Sequence, residues 1–204
     1  MNIGYMTKNS GKYYSMKELL SKTPYIDKVL WLNNVETISE GNNIHENARN
    51  KAIKGSLNIS EPVIASDEAI YLDFLNEEEQ PGACIKRVVS ENASDIELIN
   101  FYSNLIKQKK QKESSGRIIS AYAIALEGRI VNEFEYIQEC TFKYPPSQTI
   151  ISGRPLASLH YFKEYNKYYS ELSEDQKNIL NNKINDKVIS FINETLNFIC
   201  EINS

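Results

Sequence analysis

Alternating apolar and amphipathic segments constrain the fold of this chain more than any other feature. Short apolar runs typical of β-strands lie at 2–6, 29–33, 62–66 and 69–75. Segments in which apolar residues recur every three or four positions, as in amphipathic helices, lie at 12–21, 42–57 and 93–110. A chain that alternates strands with helices buries them as a sheet with helices packed against it. We therefore expect an α/β fold.

The second half of the chain adds antiparallel strands to this pattern. Residues 117–142 predict a β-hairpin with its turn at 127–129. Two further short strands are expected at 148–152 and 159–162. Ser173 and Gln176 have the spacing of a capping box, which predicts the start of a long C-terminal helix. Together these features predict a central mixed β-sheet flanked by helices.

Composition excludes several functional classes. The net charge of −4 gives no general attraction for nucleic acid or for anionic membranes. The lysine-rich run at 107–116 is typical of a solvated helix end, with a local basic patch as the alternative. No apolar run approaches the roughly 18 residues of a membrane span. Three cysteines without paired spacing favour a reducing, cytoplasmic location, and two histidines are too few for a histidine-rich metal site.

The turn after the first predicted strand has the composition of a phosphate-binding loop. It reads TKNSGK and consists of Thr7, Lys8, Asn9, Ser10, Gly11 and Lys12. Backbone N–H groups at a helix N-terminus, a flexible glycine and a lysine together can hold phosphate oxygens. Asn and Gly are also common in ordinary strand–helix turns, so the residues alone leave both interpretations open.

Acidic residues form a second candidate feature. Asp67 and Glu68 interrupt the apolar stretch between two predicted strands, and Glu46 lies at the start of a predicted helix. Carboxylates suit a divalent metal ion that activates a water molecule. A polar turn, and a solvated Glu46 favoured by the helix dipole, are the alternatives. Because side chains alternate along an extended chain, Asp67 and Glu68 face one ion together only if the chain turns between them.

The order of the motifs adds a family resemblance. TKNSGK is followed by ENARNKA (46–52), VIASD (63–67), PGACIKR (81–87) and ELSEDQKN (171–178). This succession resembles the inosine triphosphate pyrophosphatase (ITPase) family, enzymes that remove non-canonical purine nucleotides. The resemblance implies a single domain over 1–204, with an elongated two-lobed ITPase-like fold and a nucleotide cleft between the lobes. It also implies a homodimer and Mg²⁺-assisted release of pyrophosphate from ITP, dITP or XTP.

The resemblance also implies roles for individual residues. Thr7, Asn9 and Lys12 match the family's triphosphate loop, with the rest of 7–12 as its backbone. Glu46 matches a metal carboxylate. Asp67 matches the aspartate assigned to both metal binding and general base catalysis.

Two further candidates come from the last motif and the helix after it. Lys177 matches a lysine near the nucleotide. Asn182 and Lys183 fall where the family has the histidine and arginine of a Ser-His-Arg motif. Lysine thus replaces an arginine, whose planar guanidinium can hydrogen-bond phosphate at two points.

Other segments depart from the family pattern as well. The family's Asp-Asp-Ser-Gly is Ser66-Asp67-Glu68-Ala69 here, so one carboxylate is missing and Glu68 stands where a small hydroxyl residue contacts phosphate. Pro155-Leu156-Ala157-Ser158 stands in place of the aromatic-Gly-aromatic-Asp segment of the base pocket. Catalysis needs groups placed for the transition state, whereas binding needs charge and shape, so these changes are expected to weaken turnover more than binding.

Three functional hypotheses follow. The first is a nucleotide sensor that binds dITP or ITP with little turnover and reports to an effector protein. Proteins resembling this family act in that way in bacterial anti-phage defence, with a sirtuin-like NAD-degrading effector as the partner. The second is an active Mg²⁺-dependent pyrophosphatase that converts ITP, dITP or XTP to the monophosphate. The third is a structural or interaction protein that no longer binds nucleotide.

Overall fold

The computed structural model describes residues 1–36, 40–90, 92–108 and 112–202. Its strands are β1 Asn2–Met6, β2 Lys28–Trp31, β3 Val63–Leu72, β4 Glu113–Leu126, β5 Arg129–Lys143, β6 Tyr161–Phe162 and β7 Lys167–Tyr168. Its α-helices are α1 Ser10–Leu20, α2 Ile44–Ser56, α3 Asp95–Gln108 and α4 Glu174–Ile202. Short 3₁₀ helices lie at Glu77–Glu79, Pro155–Ser158 and Tyr169–Glu171.

The central sheet has the strand order β2-β1-β3-β4-β5. β1 runs parallel to β2 and to β3, with Tyr5 opposite Trp31 on one side and Ile64 on the other. β4 and β5 form a hairpin, and β6 and β7 pair antiparallel as a separate ribbon. Parallel strands joined through helices beside an antiparallel hairpin make a mixed α/β sheet, which confirms the predicted fold class.

One continuous strand, β3, replaces the two strands predicted at 62–66 and 69–75. The prediction of a polar break was wrong because the polar side chains in the strand have partners. The hydroxyls of Tyr5 and Ser66 share a hydrogen bond of 2.8 Å, and Asp67 accepts a hydrogen bond from Asn47. A buried polar group with a partner costs far less than an unpaired one, so an extended strand can pass through these residues.

Helix ends are set by side-chain caps. α1 begins two residues before the predicted start, because the Asn9 side chain accepts a 3.1 Å hydrogen bond from the backbone N–H of Lys12. The predicted capping box at the start of α4 is confirmed: the Ser173 N–H donates to Gln176, and the Gln176 N–H donates to the Ser173 hydroxyl. The last residues of the helix predicted at 93–110, and part of the lysine-rich run, lie outside the described residues.

The predicted hairpin is confirmed, with a turn of two residues. Glu127 and Gly128 both have positive φ, 49° and 76°, the conformation that lets a tight turn follow the strand twist. The prediction of a strand at 148–152 is wrong, because these residues have irregular structure and Ile150 is half exposed. The strand predicted at 159–162 is reduced to Tyr161–Phe162.

The described chain forms two compact units. Unit 1 comprises Met1–Glu68, Ser120–Tyr136 and Asn182–Ser204, and unit 2 comprises Ala69–Ile119 and Ile137–Asn181. The core of unit 1 includes Ile3, Leu20, Ile64, Ile124, Ile192 and Leu196. The core of unit 2 includes Ile70, Leu98, Tyr102, Phe142 and Leu159. Among the described residues, no helix has the length and apolar character needed to cross a membrane.

Close packing of α2 on the sheet leads to a stability prediction. A Cβ atom added at Gly55 would lie 2.7 Å from Cγ1 of Val63 and 3.2 Å from the sulfur of Met6. We expect Gly55→Ala to lower the free energy of unfolding, because overpacking costs about 1–3 kcal/mol and exceeds the gain of about 1 kcal/mol in helix propensity. Denaturant titration measures the change. Asn50→Ala, on the exposed side of the same helix, is the control and should be neutral or stabilising.

Candidate functional site

The loop between β1 and α1 is held by its own polar side chains. The backbone N–H of Asn9 donates to the Thr7 hydroxyl at 3.1 Å, and the Asn9 side chain caps α1. The indole N–H of Trp31 donates to the Thr7 carbonyl at 2.8 Å, which ties the loop to the end of β2. These contacts fix the position of the N-terminus of α1, and the N-terminus is the end of a helix that favours anions. Lys12 lies in the first turn of this helix.

Asp67 in β3 is the buried carboxylate of the site, only 7% exposed. Its Oδ2 accepts a hydrogen bond of 2.7 Å from the side-chain amide of Asn47, and its Oδ1 lies 3.1 Å from the Lys51 ammonium. Asn47 and Lys51 are four residues apart on α2, so both side chains leave the same face of the helix. The same lysine also pairs with Glu40 at 2.5 Å.

Asn47 connects three parts of unit 1. Besides its bond to Asp67, its side-chain oxygen accepts from the backbone N–H of Gly41 at 2.8 Å, and its amide donates to the Gly41 carbonyl at 3.0 Å. Sequence reasoning did not single out Asn47 or Lys51. The signal was available in ENARNKA, where polar residues at an i, i+4 spacing flank Ala48.

Alternation along β3 separates the two acidic neighbours. Ser66 bonds to Tyr5 and Glu68 pairs with Lys12, whereas Asp67 between them contacts α2. Because the strand is continuous, successive side chains leave on opposite faces. Asp67 and Glu68 therefore belong to different faces of the sheet.

Lys12 and Glu68 form an ion pair at the start of α1. The ammonium and carboxylate lie 3.1 Å apart, with side chains 31% and 40% exposed. Burial alone would lower the pKa of Lys12, but the negative charge of Glu68, with smaller contributions from Tyr5 and Asp67, outweighs burial and raises that pKa above its usual range. Lys12 is thus a cation at neutral pH.

Two phenols next to this pair remain uncharged. Burial raises the pKa of Tyr5 and of Tyr122 above the ordinary value for tyrosine, so both stay protonated at neutral pH. The charges at the site are therefore those of its lysines and carboxylates.

The other residues predicted for the site are described by their own surroundings. Glu46 is exposed in the first turn of α2, directly before Asn47. Asn182 and Lys183 are exposed on the part of α4 that belongs to unit 1. Lys177 belongs to unit 2, where its ammonium pairs with Glu174 at 2.8 Å. Their roles in nucleotide binding stay predictions.

Magnesium binding stays a prediction, with two carboxylates as the predicted donors. Across the described ranges, no group of three or more His, Cys, Asp or Glu side chains could hold a metal ion. Mg²⁺ is commonly held by one or two carboxylates together with substrate phosphates and water. Asp67, with Glu46 as the predicted second carboxylate, matches that chemistry.

The Ham1 family model matches this chain over residues 3–185. The chain belongs to the Ham1 family. A dITP/XTP pyrophosphatase from Desulfotalea psychrophila is 31% identical over 144 residues, which cover 70% of this chain and 61% of that relative. A dITP/XTP pyrophosphatase from Halalkalibacterium halodurans is 26% identical over 87% of this chain and 90% of its own length. The family resemblance inferred from the motifs is thereby confirmed.

Solved Ham1 structures share the fold. A HAM1 protein from Coxiella burnetii superimposes with a TM-score of 0.77 at 20% identity, covering 95% of this chain and all of that one. The Staphylococcus aureus Ham1 protein gives a TM-score of 0.71 at 18% identity, with 95% and 99% coverage. A nucleoside-triphosphatase / dITP/XTP pyrophosphatase from Mycobacterium abscessus gives 0.64 at 16% identity, with 90% and 94% coverage.

The hydrogen bonds of Asn47 lead to a second prediction. Asn47→Ala removes the amide partner of Asp67 and both bonds to Gly41. Asp67 keeps Lys51 but loses the partner of its other buried oxygen, a loss that costs about 1–3 kcal/mol, so we expect the free energy of unfolding to fall by about that amount. Denaturant titration again supplies the measurement, with Asn50→Ala as the matched control. Equal stability of the two variants would mean that Asn47 does not hold this part of the structure.

Proposed function

We propose that this protein binds non-canonical purine nucleoside triphosphates such as dITP and ITP, with the phosphates at loop 7–12, and hydrolyses them slowly. The observation that carries the proposal is the placement of Lys12 in the first turn of α1, on a loop braced by Thr7 and Asn9. A helix N-terminus and a fixed cation together favour a polyanionic ligand.

The relatives support the choice of ligand. Two of them are named dITP/XTP pyrophosphatases, and one of these aligns over 90% of its length. The loop, the ENARNKA helix and the Asp67 strand all lie within the region that matches the family. A deoxyinosine or inosine triphosphate is therefore the ligand class that we propose.

The contacts of Asp67 favour binding over turnover. A carboxylate that positions an attacking water needs an oxygen directed at that water. Each oxygen of Asp67 has a protein partner, Asn47 or Lys51, so a water or an ion has only the remaining lone pairs, next to the Lys51 ammonium. Glu68 adds a negative charge beside the phosphate loop, where like charge opposes a triphosphate.

Magnesium fits the proposal as part of the ligand complex. Asp67 and Glu46 would hold the ion, and Lys12 would contact phosphate oxygens of the ligand. When bound, the ion supplies charge neutralisation and a more acidic water molecule. The chain itself contributes the fixed positions of these side chains.

An active pyrophosphatase is the second candidate function. The observation in its favour is that Asp67 is present and is held on a sheet strand by two side chains of α2. Catalytic groups work best when their positions are fixed before the reaction. If Lys51 or Asn47 released its oxygen of Asp67 on nucleotide binding, that carboxylate would be placed to accept a proton from an attacking water.

A protein that binds a nucleotide and hydrolyses it slowly needs a partner that responds to the bound form. The homodimer and the NAD-degrading effector implied by the family resemblance are the partners that we propose for it. In this proposal the nucleotide-bound form, and not the product, is the signal that the partner receives.

Lys12 provides the direct test of the proposed ligand site. We expect Lys12→Ala to weaken dITP binding by about 1–3 kcal/mol, roughly five- to hundredfold, because a charge-assisted contact to phosphate is lost. Calorimetry with dITP, and with dATP as a competitor for base preference, measures the effect.

Lys17→Ala is the matched control, since Lys17 is an exposed lysine on the same helix. It removes the same charge and should leave dITP affinity within about twofold of the original protein. Equal affinity of the Lys12 and Lys17 variants for dITP would remove the loop from the site.

A further inference from the structure

The Lys12–Glu68 ion pair joins the cation that the proposed ligand site requires to an acidic residue of the same chain. We propose that Glu68 is a built-in competitor of phosphate: its carboxylate occupies Lys12 in the nucleotide-free protein, and an incoming phosphate must displace it. The inference rests on the proposed function, and it concerns how that site selects its ligand.

The backbone around Glu68 is held in place, so the displacement of Glu68 from Lys12 is a movement of its side chain. β3 is continuous through this residue, and the preceding Ser66 is tied to Tyr5 by a 2.8 Å hydrogen bond. The Glu68 side chain is 40% exposed and that of Lys12 is 31% exposed. A phosphate oxygen from solvent can therefore reach the ammonium while the carboxylate rotates towards water.

The local charge balance makes the competition effective. The Lys12–Glu68 ion pair is itself electrically neutral. The nearby Tyr5 phenol carries no charge at neutral pH. A site with this balance attracts a weak anion poorly, because the gain at Lys12 is opposed by repulsion from Glu68.

The consequence is selection by phosphate number. A monophosphate brings one phosphate group against the Glu68 carboxylate, whereas a triphosphate brings several contacts to the helix N-terminus at once. Breaking the Lys12–Glu68 ion pair costs the same free energy for both ligands. Only the ligand that makes more contacts offsets this cost. Glu68 would thus keep abundant monophosphates out of a site meant for a triphosphate.

The test measures the affinity of inorganic triphosphate by calorimetry at fixed ionic strength, in EDTA so that no metal takes part. Glu68→Gln keeps the size and the hydrogen-bonding ability of the side chain but removes its charge. We expect it to bind triphosphate about tenfold more tightly than the original protein. Glu18→Gln is the control, because it removes one charge from an exposed position on α1 and should change affinity less than about twofold.

A double-mutant cycle shows whether the effect passes through Lys12. In the Lys12→Met background, Glu68→Gln should tighten triphosphate binding by clearly less than in the original protein. An equal gain in both backgrounds would mean that Glu68 acts by general repulsion, which overturns the proposal. Glu68→Ser is the second variant should Glu68→Gln not fold, as judged by thermal unfolding.

The remaining outcomes separate the two proposals. If dITP binds in a Lys12-dependent manner but Glu68→Gln does not tighten triphosphate binding, the competitor is excluded and the ligand site stands. If neither the original protein nor Glu68→Gln binds dITP or triphosphate, both proposals fall.

Discussion

The buried carboxylate of Asp67 is the constraint on which the rest of the site depends. A carboxylate in the middle of a sheet strand is tolerated only when partners replace the water that it has lost. Asn47 and Lys51, one helical turn apart, supply those partners and so require α2 to lie against β3. The close approach at Gly55 allows that position. With Asp67 committed to α2, alternation along the strand turns Glu68 to the other face, where it meets Lys12.

In the proposed function, phosphate binding and phosphate chemistry draw on different faces of one strand. Loop 7–12, which includes Lys12, and Glu68 form a charged surface, in which Glu68 departs from the family pattern. Asp67 stands where the family pattern has an aspartate, but both of its oxygens contact side chains of α2. We propose that a chain with this scaffold and these charges holds a nucleotide rather than cleaving it.

Much of the fold was predictable because local signals decide it. The capping box at Ser173 and the hairpin turn at 127–128 follow from residue type and spacing. The continuous β3 was not predictable, because the polar residues within it are stabilised by Tyr5 and Asn47, which are distant in sequence. The pairing of Lys12 with Glu68 escaped prediction for the same reason: it depends on which face of β3 lies towards α1. Motif order identified Lys12 and Asp67 as candidates, but only the structure names the partners of each.

The central claim, that the protein binds its nucleotide with little turnover, has one direct measurement. Purified protein is incubated with dITP and Mg²⁺, and bound nucleotide and released pyrophosphate are measured in the same sample. The account predicts saturable dITP binding with pyrophosphate release far slower than about 1 s⁻¹, the low end of ordinary enzyme turnover. Release at about 1 s⁻¹ or faster would contradict it and would make the protein an active pyrophosphatase.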